Sequence, residues 1–115
     1  MNDGSSLGQL PLRPAVFHIL LALGRGELHG LGIADEVARA SEGLVNLGPG
    51  TLYRTLDEMR VENLVERAVA PGTGSDPRRK YYRITSLGRS LLQAELSRLQ
   101  RLVARARDDA ALVRA

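Results

Sequence analysis

From Pro14 to Met59, and again from Leu87 onward, this chain spaces its apolar residues as helices do; only between Val65 and Ile84 does the period fall to two. One short β unit held between helical runs leaves few architectures open. The first run opens at Pro14, whose missing N–H costs nothing in a first turn. It carries Val16, Ile19, Leu20 and Leu23 and stops at Gly24. After the Gly24-Arg25-Gly26 turn, Gly30 precedes a second amphipathic run with Leu31, Ile33, Ala34, Val37 and Ala38 on its inner side, ending before Gly43. Leu47-Gly48-Pro49-Gly50-Thr51 starts a third, whose buried stripe is Leu52, Leu56 and Met59, with Leu64 closing the turn beyond it.

In the β unit, Val65, Arg67 and Val69 alternate with Glu66 and Ala68, and Lys80 to Ile84 is a second run rich in strand formers. The connection Pro71-Gly72-Thr73-Gly74-Ser75-Asp76-Pro77 is too long for a tight turn, so a hairpin with an exposed, mobile loop is expected. Strand alternation assigns Tyr82 and Ile84 to the core and Tyr81 to the outside. Thr85 suits a helix N-cap, and from Leu87 the chain reads as one helix to about Leu112. Along it Leu92, Leu96, Leu99, Val103, Ala106, Ala110 and Val113 make a heptad seam. Such a helix is on the order of 40 Å long, more than a domain of this size can cover. Leu92, Leu96, Leu99 and Val103 are therefore expected to meet a second copy of the chain.

The 115 residues fit one domain. They divide into a flexible, Gly/Ser-rich N-terminus (1–10), a helix-and-hairpin domain (11–86) and a C-terminal dimerisation helix (87–115). Aromatic residues are 3% of the chain and Trp is absent, so the core must be built from Leu, Val, Ile and Ala, as suits a mainly α fold. Without Cys there is no thiolate zinc site or cysteine nucleophile, and His18 and His29 form no metal pair, so neither metal nor cofactor is expected. Both histidines read as structural. Gly4-Ser5-Ser6-Leu7-Gly8 has the spacing of a nucleophile elbow but lacks the strand and helix that would hold it, and no other catalytic constellation is present. The apolar run Ala15–Leu23 is far short of the roughly 20 residues that cross a bilayer. A cytoplasmic protein with no membrane partner and no enzyme activity is expected.

The formal charge is only +3, but it is unevenly spread. Residues 1–70 are mildly acidic, whereas in 71–89 Arg78, Arg79, Lys80, Arg83 and Arg89 stand against Asp76 alone. Helix, helix, turn, helix and then a hairpin with a basic arm is the order of a winged helix-turn-helix: mainly α with a small β-hairpin, plus the long C-terminal helix. In that arrangement the second helix of the pair enters the DNA major groove. Thr51, Arg54, Thr55 and Glu58 are expected to face outward there, with Arg54 able to grip guanine or a phosphate. The free N–H groups around Pro49-Gly50-Thr51 suit a backbone phosphate, and Arg78, Arg79 and Lys80 suit the backbone or the adjacent minor groove. Tyr53 can place its hydroxyl on a phosphate or pack beside Leu52, and is assigned to the phosphate.

Three stretches together also resemble the PadR-like transcriptional regulators. They are His29-Gly30-Leu31-Gly32-Ile33, Pro49-Gly50-Thr51-Leu52-Tyr53, and Arg78-Arg79-Lys80-Tyr81-Tyr82-Arg83-Ile84-Thr85 with Gly88-Arg89. The resemblance spans about residues 12–90. It implies a winged-helix domain that binds double-stranded DNA, a homodimer held by the C-terminal helix, and repression relieved by a ligand or stress signal, the effector being a small molecule of unidentified chemistry. Two departures stand out. The family usually has Pro where this chain has Arg54, and the branch that holds flat drugs between Trp residues finds no Trp here. The competing reading is a winged-helix protein-interaction module that does not bind DNA, favoured by Asp57, Glu58 and Glu62 on the third helix.

Overall fold

A computed structural model describes residues 7–69 and 78–113. Helix α1 (Pro14–Leu23) has Pro14 in its first turn and ends at Gly24. A two-residue strand β1 (Leu28–His29) leads directly into α2 (Gly30–Ala40). Helix α3 (Pro49–Val61) again begins at a proline. Strands β2 (Val65–Ala68) and β3 (Tyr81–Ile84) form the hairpin arms, and α4 (Ser86–Asp108) follows with Thr85 capping it through the Gly88 amide. A short α5 (Ala110–Val113) closes the described chain. The architecture is mostly helical with a small antiparallel sheet and a long C-terminal helix.

One core serves all these elements. Val16, Ile19, Leu20 and Leu23 of α1 meet Ile33 and Val37 of α2, Leu52, Leu56 and Met59 of α3, and Val65 and Tyr82 of the sheet. The ends of α2 and α3 share one device. At each, the residue after the cap turns left-handed (Glu42 φ 57°, Asn63 φ 64°), letting the next amide reach back to the helix: Gly43 N–H to Ala38 O at 2.8 Å, Leu64 N–H to Met59 O at 2.8 Å. The second turn drops Leu64 into the core and aims the chain into β2.

Several sequence expectations need correction. The sheet has three strands in the order β1-β3-β2, because Leu28 and His29 pair with Tyr82 and Tyr81 along the free edge of the hairpin. Tyr81 is buried as well as Tyr82, since β1 brings the His29 ring edge-on to it at 5.5 Å. The N-terminal segment is docked from residue 7: Leu7 lies in the core, its amide donates to Glu62 at 3.0 Å, and Leu12 is buried beside it. The long helix is interrupted at Asp109, whose carboxylate accepts from the Ala111 amide at 2.9 Å and so starts a new turn. The expected loop at 71–77 and the elbow-like residues 4–6 lie outside the described residues.

The expected division at residue 86/87 also cuts through a working core element. Gly88, Leu92 and Glu95 of α4 are buried against the rest of the chain. Leu92, expected in the seam between copies, belongs to this intrachain core at 5% exposure. Beyond Glu95 nothing on α4 is buried, and Leu96, Leu102 and Val103 are exposed.

Candidate nucleic-acid interface

The sequence of α3 separates its two faces. Leu52, Thr55, Leu56 and Met59 recur at i, i+3, i+4 and i+7 and are buried, while Thr51, Tyr53, Arg54, Asp57 and Glu58 point to solvent. Thr55, expected on the outer face, therefore cannot reach a base. It fills the one gap in the apolar stripe. Pro49, Gly50 and Thr51 at the start of the helix are exposed, and the Gly48 cap makes no side-chain bond to the first turn. That end of α3 thus offers N–H groups to an anion.

Acidic residues on α3 do not leave it negative. Glu58 holds Arg13 at 2.7 Å, Asp57 lies 3.8 Å from Arg60, and Glu62 takes the Leu7 amide. Arg54 is exposed and, among the described residues, makes no hydrogen bond or ion pair. Among the described residues nothing compensates the charge of its guanidinium on the outer face of the helix, and five fixed donors equip it for a bidentate acceptor.

The second part of the site comes from the hairpin. Pairing of β1 with β3 sets His29 and Gly30 beside the residues that enter β3, and α3 crosses the same place with Tyr53. The result is a cleft of about 360 Å³ lined by His29, Gly30, Leu31, Tyr53, Arg78, Arg79 and Lys80. A Cβ at Gly30 would collide with the Tyr53 hydroxyl, so glycine here permits the tyrosine to lie across the start of α2. The ring end of Tyr53 packs on Gly30, and the side chain remains 39% exposed. Arg79 approaches the His29 Nε2 at 2.8 Å, and among the described residues Lys80 makes no hydrogen bond or ion pair. Arg83, by contrast, is held by Glu66 at 2.7 Å and Glu27 at 3.7 Å, and the hydrogen bond it donates to Glu66 raises its pKa further. It is bound to the sheet and does not join the cleft.

Tyr53, Arg78, Arg79 and Lys80 are thus brought together, and Thr51 and Arg54 lie on the adjoining face of α3. His29 was read as structural from sequence; it caps α2 by accepting the Gly32 amide at 3.0 Å, yet its other nitrogen faces the cleft. Its place just before a helix start signalled the cap, and nothing local signalled Arg79, fifty residues away. No group of three or more His, Cys, Asp or Glu that could hold a metal occurs among the described residues, and no described helix is long and apolar enough to cross a membrane.

Comparison with known proteins fits this arrangement. The model of the "Transcriptional regulator PadR-like family" matches residues 19–94. No curated protein matches the chain. A PadR family transcription regulator from Clostridium difficile R20291 superposes with TM-score 0.71 at 26% identity, covering 84% of this chain and 97% of that one. RosR of H. salinarum gives TM-score 0.62 at 25% identity, with 90% of this chain and 98% of that one covered. Bacillus subtilis PadR, solved in complex with operator DNA, gives TM-score 0.63 at 23% identity over 75% of this chain and 47% of its own length, a likeness of fold.

Proposed function

Because this chain belongs to the PadR-like family of transcriptional regulators, we propose that it binds double-stranded DNA in a sequence-selective way, as a homodimer on an inverted-repeat operator, and represses transcription there. The observation that carries this reading is the convergence of Arg78, Arg79, Lys80 and Tyr53 in one cleft beside the exposed start of α3. Two sources of positive potential, a helix N-terminus and a basic arm, flank a helix whose acids are already engaged. Phosphates on either side of a groove would sit against the first two while Arg54 and Thr51 meet base edges.

Support for two copies comes from the outer part of α4, where Leu96, Leu102 and Val103 are exposed and Leu99 is partly so. A second α4 laid on that seam would bury it and relate two α3 helices by a two-fold axis, hence the inverted repeat. Of the expected dimerisation residues, Leu96, Leu99 and Val103 lie on that seam, whereas Leu92 is spent on the intrachain core. The protein-interaction alternative rested on the charge of Asp57, Glu58 and Glu62, and those carboxylates are engaged within the chain.

Selection from a random duplex library tests the whole reading. An inverted repeat with half-sites about 34 Å apart supports it; unselective, salt-insensitive retention would sink it. Repression is then read as reduced transcript from a template with the selected repeat over its promoter.

A further inference from the structure

The imidazole of His29 poses a proton problem that points to a ligand. Its Nδ1 accepts the Gly32 amide, 3.0 Å away, as the N-cap of α2. A neutral imidazole has one N–H, and with Nδ1 used as acceptor the proton must sit on Nε2. Yet Nε2 faces the Arg79 guanidinium at 2.8 Å, and a guanidinium can only donate. Two donors therefore confront each other at hydrogen-bond distance. The cap is set by backbone geometry, whereas Arg79 is on the surface and can swing. What satisfies both is an anionic oxygen placed between them, and the cleft they share has Lys80 and Tyr53 on its walls.

We propose that His29 is a phosphate ligand: its neutral Nε2–H and the Arg79 guanidinium donate to the same phosphodiester oxygen of bound DNA. The inference rests on the DNA-binding reading and adds to it a contact made from the N-cap of α2, outside the recognition helix and the basic arm. Because Nδ1–H would break the cap, His29 contributes a directed hydrogen bond and no charge. The cleft is open on one side, as a duplex backbone requires, and Leu31 at its rim is 60% exposed. The β1–β3 pairing holds His29 and the start of the hairpin arm in register, so one phosphate would lock α2 and the arm together.

The probe is a 24-base-pair duplex of mixed sequence, titrated by anisotropy at several salt concentrations. His29→Asn keeps an oxygen where Nδ1 stands, so the cap survives, and removes the Nε2 donor. Equal melting temperatures for H29N and wild type establish that the fold is intact. We expect H29N to bind about tenfold more weakly at every salt concentration with an unchanged salt slope. Arg79→Ala should lower the slope by about 0.9. The double variant should lose less than the product of the two, because both donors serve one oxygen. A long-range ¹H–¹⁵N spectrum of the wild type should show the Nε2–H tautomer, with its Nε2 signal moved by the duplex.

Wild-type affinity in H29N, strictly multiplicative losses, or the Nδ1–H tautomer each overturn the proposal while DNA binding stands. So does an Nε2 signal moved by inorganic phosphate and not by the duplex. If the wild type itself does not bind the duplex, the DNA reading and this one fall together. If H29N melts lower, the tautomer and duplex-induced shift in the wild type decide alone.

Discussion

Glu95 shows how much one side chain can join in this small chain. It is 3% exposed, accepts the buried Leu12 amide at 2.9 Å, and is gripped by Arg98 at 2.6 Å. The Arg98 hydrogen bond and the Leu12 amide hold its carboxyl below the usual glutamate range, against the opposing effect of burial. A carboxylate whose pKa is lowered by folding adds stability that is present above its unfolded value, about 4.3, and is lost as pH falls through the lower folded one. The stability of wild type against urea should therefore fall as pH drops from about 5 toward 3, and Glu95→Gln should flatten that part of the profile. Glu95→Ala should cost about 2 kcal/mol at neutral pH, because the Leu12 N–H is then buried without a partner. Arg54 yields the residue-scale prediction for recognition. Arg54→Ala should shift the sequence preference recovered from a random library if this exposed guanidinium on the outer face of α3 grips guanine as proposed. Equal losses on preferred and scrambled duplexes would assign it to phosphate.

Among the elements, two glycine exchanges should act in opposite directions. Gly88 in the first turn of α4 lies so close to the Leu64 carbonyl that a Cβ would collide with it, and Ile84 Cγ1 would be 3.0 Å away. On an open helix Gly→Ala adds stability, yet here Gly88→Ala should cost about 2–3 kcal/mol in chemical denaturation. Glu42 pays a left-handed penalty with φ 57°, and Glu42→Gly should raise stability by about 0.5–1 kcal/mol. Asn63→Gly should gain less, because asparagine tolerates that region better.

These contacts also mark where sequence reading stops. The starts of α1, α3 and α4 were legible because Pro14, Pro49 and Thr85 act through their own backbone neighbours. Strand β1 was not, since two residues have no period to detect. Missing it hid the burial of Tyr81 and the second contact of His29. Thr55 failed for a related reason: its hydroxyl suggested an outer face, while the packing of α1 and α3 widens the stripe to include it. Arg78, Arg79, Lys80 and Tyr53 were recoverable as a set from charge and order alone, but their enclosure of a common cleft with the start of α2 depends on the sheet register.

At the scale of the whole molecule, α4 is two things in sequence. Up to Glu95 it closes the core of its own chain; past that point it leaves the domain with Leu96 and Val103 exposed and Leu99 partly so. The break at Asp109 limits the uninterrupted α4 stretch beyond Glu95 to little more than three turns, about 20 Å of helix. That length is enough for a modest self-association seam and too short for a self-sufficient coiled coil, so the proposed dimer should be in exchange with monomer at low concentration. Replacing Leu99 and Val103 together by Glu should therefore give a folded monomer in sedimentation experiments, since neither residue belongs to the intrachain core. DNA binding by that variant should persist on a single half-site but lose about half of the salt slope on a full inverted repeat, because only one set of basic contacts then engages at a time. An unchanged sedimentation coefficient would show that the copies meet elsewhere. A monomer retaining the full slope would mean that one chain alone makes all the phosphate contacts.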